Sequence, residues 1–151
     1  MNKNDILIDL SESKKTKYGK EDFALQSPPQ KVFSAISRLE GEVNNGGFSQ
    51  YFANDAGEST SFVVEALETL VAPKMANICK RAIAAAFREG LPTDPEAVQS
   101  IADNFSDETL AALNALDTEF FGCPEELTNL LFDFVSKHPE EFGTLPEADD
   151  A

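Results

Sequence analysis

The side chains able to do chemistry in this chain are few, and most of them are acids and amides. His138 is the sole histidine, and Cys79 and Cys123 are the only cysteines, 44 positions apart with no CxxC spacing. A zinc site needs several such ligands close together, so neither a metal nor any other cofactor is assigned. Cys79 falls on an apolar helical stripe and Cys123 directly before Pro124, where both read as structural thiols in a reducing compartment. His138 stands near a helix end, suited to the terminal carbonyls there. A catalytic histidine would need a nucleophile and an orienting group, and the pattern offers neither, so no catalytic residue is named and the chain is not expected to be an enzyme.

The densest polar cluster is EVNNGGFSQYFAN, Glu42 to Asn54. Asn44 and Asn45 tolerate the left-handed backbone and Gly46 and Gly47 adopt it without steric cost, so the chain can turn sharply and restart a helix. In that helix Phe48, Tyr51 and Phe52 stand at i, i+3 and i+4 and present an aromatic face to a core, while Ser49, Gln50 and Asn54 point elsewhere. Two readings stand side by side. The amides tie down a corner, or Glu42, Asn44, Asn45, Gln50 and Tyr51 converge on a small polar ligand or an enzymatic pocket.

Charge is the other resource. The formal net charge is −15 over 151 residues, and its distribution is uneven. Positions 1–88 hold 11 acids and 11 bases, whereas 89–151 hold 16 acids against a single base, Lys137. The first part also carries the basic cluster Lys14, Lys15, Lys17 and Lys20. A surface of this kind repels nucleic acid and anionic lipid and draws in basic proteins over about 8–10 Å at physiological salt. Glu96, Asp107, Glu108, Glu125 and Glu126 also suit the first turns of helices, where the macrodipole favours acids.

The elements that would position these groups are helical. Ser27, Pro28 and Gln30 form an N-cap, first-turn proline and capping box ahead of Val32, Ile36, Leu39 and Val43. Apolar stripes follow at Phe62–Leu70 and at Met75–Phe87, with Pro73 between them and Gly90 after. Asp94 and Ser106 are placed to cap two further helices, Gly122 ends the second, and Pro124 is expected to open a last one through Val135. Ile6, Ile8 and Leu10 fit either a short strand or a helical turn. These stripes predict a single compact all-α domain at 27–143 with short connections, an N-terminal extension at 1–26 packing on it, and an acidic disordered tail at 144–151. No run reaches the roughly 20 apolar residues of a membrane span and no export signal opens the chain, so a soluble cytoplasmic protein is expected.

The pattern ExNNGGFxQYFxN, here Glu42 to Asn54, resembles the signature of a bacterial DNA-mimic protein family, small helical domains that include the neisserial DNA mimic. Its tight core covers 13 residues, with looser agreement over about Ser27 to Lys137. The resemblance implies a helical fold in which Glu42, Asn44, Asn45, Gly46, Gly47, Phe48, Gln50, Tyr51, Phe52 and Asn54 are structural. For function it implies an acidic dimer whose carboxylates stand where DNA presents phosphates, occupying the DNA-binding face of a basic, helix-turn-helix regulator.

Helix-borne acids three or four positions apart lie about 5–6 Å from each other, against one phosphate per roughly 1.7 Å of duplex axis, so neighbouring helices are needed to approach that density. The candidates for such a partner-binding surface are Glu96, Asp103, Asp107, Glu108, Asp117, Glu119, Glu125, Glu126 and Asp133. Direct nucleic-acid binding and membrane binding are not expected. Besides the pocket at the corner, a regulatory domain with a basic partner that does not bind DNA is the remaining alternative.

Overall fold

The Ser27 hydroxyl accepts the Gln30 N–H at 3.4 Å, and Gln30 Oε1 accepts the Ser27 N–H at 3.1 Å, so the expected capping box opens the central helix of the molecule. The computed structural model describes residues 1–12, 23–55 and 58–149. The lysine cluster at 14–20 and Asp150 lie outside these described residues. Among them the chain is all-α, as expected, with eight helices. In order these are α1 (Lys3–Glu12), α2 (Pro28–Asp55), α3 (Thr60–Thr69), α4 (Pro73–Ala86), α5 (Pro95–Asp103), α6 (Asp107–Phe121), α7 (Leu127–Ser136) and the single turn α8 (Pro139–Phe142). The Ile6–Leu10 alternation resolves as helix, not strand, with Ile6 and Leu7 buried.

Helix α2 is the hub, packing against α3, α5, α6, α7 and α8, while α4 lies on α3 and α6, and α1 rests on α7. It is broken where the sequence turns, with Gly46 at φ −154°, ψ 15° and Gly47 at φ 77°, ψ −177°. The break redirects the second half so that Phe48, Tyr51 and Phe52 are each about 1% exposed. Phe48 meets Phe120 edge-on at 5.8 Å, and Phe52 meets Phe87 at 5.2 Å, which locks α2 to α6 and to the end of α4.

Local caps form where expected: Asp94 accepts the Glu96 N–H, and Ser106 accepts the Thr109 N–H, both at 3.1 Å. His138 Nδ1 lies 2.7 Å from the Phe134 carbonyl at the end of α7, the role expected of it. Pro124 does not open a helix. The chain passes through Cys123 at φ 48°, and α7 begins only at Leu127, because Glu125 is drawn across to another helix. In the C-terminal segment Leu145 packs against the core, and Asp149 N–H donates to the Met1 carbonyl at 3.1 Å.

Candidate functional site

The nine candidate acids divide by what their carboxylates touch. Asp117 Oδ1 accepts the Phe48 N–H at 2.8 Å, so a residue of α6 caps the restarted half of α2. Burial raises the Asp117 pKa, and the Phe48 N–H opposes that shift. Glu125 takes the Lys74 N–H at 2.8 Å and the Met75 N–H at 2.7 Å, capping α4 from 50 or more residues away. Glu119 grips the Arg81 guanidinium through both oxygens, at 2.8 and 2.6 Å, and this bond holds Glu119 ionised below the usual carboxylate range.

The other six, Glu96, Asp103, Asp107, Glu108, Glu126 and Asp133, are exposed. Glu96 begins α5 and Asp103 ends it, with Asp103 accepting from Gln99 at 2.9 Å. Asp107 and Glu108 follow at once in the first turn of α6, and Arg88 approaches Glu108 at 3.5 Å between two well-hydrated side chains. Such a pair is weak and leaves most of the field intact. Asp107 and Asp117 are ten positions apart on α6, about 15 Å at 1.5 Å per residue, which exceeds the screening length in physiological salt. Asp103, Asp107 and Glu108 therefore stand near one another along the chain where α5 gives way to α6, away from Asp117. Glu126 precedes α7 and Asp133 lies within it.

The signature corner satisfies itself. Glu42 Oε2 accepts from Gln50 Nε2 and from Asn54 Nδ2, each at 2.9 Å, closing the break from outside. Tyr51 faces the core and cannot line a surface pocket with Glu42 and Gln50. Asn45 is exposed, and Asn44 faces a different hollow, bounded by α1 and α7. The five polar residues proposed to converge there do not.

Sequence reading missed Asp55, whose side chain is only 1% exposed. It accepts the Thr60 N–H at 2.7 Å together with the Ser59 and Thr60 hydroxyls, and Arg38 approaches at 3.3 Å. These donors satisfy a buried carboxylate, which pins the start of α3 to the end of α2. The sequence signal was faint: an acid followed by Ser59 and Thr60 across a short corner.

Three helix starts, at Phe48, Thr60 and Lys74, therefore rest on carboxylates outside their own first turns. Glu125→Ala should lower stability by about 1–2 kcal/mol, the usual cost of a lost cap, and thermal unfolding of the two proteins side by side measures it. Glu89→Ala, at an exposed position, supplies the control for charge alone.

Part of the acid complement of this helical scaffold thus caps its own helices, and part is exposed near helix ends. Among the described residues no group of three or more His, Cys, Asp or Glu is placed to hold a metal ion, and no helix is long and apolar enough to cross a membrane. The chain belongs to the DMP19-like protein family, DMP19 standing for DNA mimic protein 19, whose model matches residues 24–138. That name associates the family with a DNA-mimic role, and the family is not in general one of enzymes. Neither a curated protein nor a solved structure matches the chain.

Proposed function

We propose that this protein presents its exposed carboxylates to the cationic face of a DNA-binding protein and excludes DNA from that face. The observation that carries the reading is the concentration of negative charge in 89–151, 16 acids against one base, in a member of the DMP19-like family. The exposed acids of α5 and α6 are its working part. Asp103, Asp107 and Glu108 fall within six consecutive residues, where the end of one helix meets the start of the next. A second copy of the chain would double the array, and a helix-turn-helix regulator in the cytoplasm is the partner class to try first.

The test is to capture a partner on the immobilised full-length chain and titrate the complex with salt and with duplex DNA. Affinity should fall steeply between 50 and 200 mM salt, and DNA should displace the chain. Asp103→Asn, Asp107→Asn and Glu108→Gln together should weaken binding at least tenfold, about 1.4 kcal/mol, whereas Glu119→Gln, already matched by Arg81, should change it less than twofold. A partner that holds DNA and this chain at once sinks the reading.

A further inference from the structure

Between α1, α2 and α7 lies a cavity of about 350 Å³. Helix α2 lines it with Ser37, Glu40 and Asn44, spaced i, i+3 and i+7 on one face, α1 lines it with Asn4 and Leu7, and α7 with Leu131. The hollow opens to solvent, with Asn4 and Asn44 exposed at its edge and Ser37 and Glu40 half-buried deeper in. Here the α2 wall is polar, and the side chains of Asn4, Ser37 and Asn44 make no hydrogen bond among the described residues.

Glu40 is half-buried in this wall. Burial first, then the nearby Glu126 carboxylate, pushes its own carboxyl up to about 7, with the Thr128 hydroxyl pulling the other way. Among the described residues the charged groups around it are acidic: Glu12 of α1 at the rim and Glu126 ahead of α7. Lys3, the cation of α1, is turned instead to Asn129 at 3.3 Å and to the Phe132 ring at 5.4 Å. No ion pair to Glu40 exists among the described residues.

We propose that this cavity is a binding site for an organic cation, an alkylammonium or alkylguanidinium group, with Glu40 as its counter-ion. The amide and hydroxyl oxygens of Asn4, Asn44 and Ser37 accept from its N–H groups, and Leu7 and Leu131 seat the aliphatic stem. The volume lies at the small end of the range for ligand pockets, roughly 300–1,000 Å³. An anion would meet Glu12, Glu40 and Glu126, and a neutral apolar guest would leave the carboxyl and amides without partners. The site shares only Glu126 with the exposed acids above and does not rest on the mimicry reading.

Calorimetric titration of the full-length protein with n-butylguanidinium tests it. At pH 8.5 one saturable site is expected. At pH 5.5, where Glu40 is protonated, binding should be at least tenfold weaker, and near pH 7 binding should release a proton, read from titrations in two buffers of different ionisation enthalpy. Glu40→Gln should abolish binding at both pH values while its thermal transition stays cooperative, and n-butanol should not bind. A capped Ala-Arg-Ala peptide separates the sources: tighter binding than n-butylguanidinium supports a cation on a partner's side chain, and weaker binding supports a free small molecule. No saturable binding at millimolar probe, or binding that Glu40→Gln changes less than twofold, overturns the proposal.

Discussion

Glu40→Gln raises the thermal midpoint at pH 8 and leaves it unchanged near pH 4. The carboxyl has an ordinary value of 4.5 and is pushed up to about 7 in the folded protein, so the folded state resists ionisation that the unfolded chain accepts. Its stability is therefore whole below about pH 4.5, declines as pH rises through the window to about 7, and stays lowered above it. A gap of this size corresponds to at most about 3–4 kcal/mol. Water reaching the adjoining cavity reduces that, and about 2 kcal/mol, or roughly 6 °C for a domain of this length, is the expected gain at pH 8. Melting curves of variant and wild type at pH 4, 6 and 8 measure it. Curves that run parallel at all three values would mean that Glu40 is fully hydrated.

Gly47→Ala loses about 3 kcal/mol or more, the largest effect expected from any single methyl in this protein. With φ 77° and ψ −177°, Gly47 occupies a backbone region essentially closed to residues with a Cβ. The added atom would also sit 2.3 Å from Asp117 Oδ2, so the carboxylate that caps Phe48 must leave. Strain and a lost cap then coincide at the joint that aims three aromatics into the core. Gly41→Ala, in the straight part of the same helix with nothing within 4 Å of the new Cβ, should instead stabilise by about 0.5–1 kcal/mol. Chemical denaturation of both variants decides it, and equal effects would count against the strained joint.

How much of this was legible in the sequence depends on distance along the chain. Ser27 with Gln30, Asp94 and Ser106 cap their own helices within three residues, and a capping pattern is a local code. The Gly46–Gly47 joint and its aromatic face were legible for the same reason. Asp117 serves a donor 69 positions away and Glu125 one 51 positions away, and nothing local marks an acid for such service. They therefore looked like free surface charge. Reading Pro124 as a first-turn proline failed for a related reason, since the stretch before α7 is held open by the reach of Glu125. The α3–α4 break carries no glycine either. Val71 takes φ 58° and the Ala72 N–H returns to the Leu67 carbonyl at 2.9 Å, closing a C-terminal motif usually written with Gly.

Of the candidate site, the residue types were legible but not their division of labour. The hollow at Glu40 was invisible, because Ser37, Glu40 and Asn44 look like an ordinary solvated helix face until α1 is laid across them.

The remote caps carry a consequence for how such a molecule can diverge. Acids at 55, 117 and 125 are tied to the scaffold, and losing one costs the fold the stability of a cap. Those at 96, 103, 107 and 108 hold no tertiary contact that the fold requires, so they can drift, vanish or reappear a turn away at little cost to the monomer. Relatives can thus share one skeleton and still court different partners.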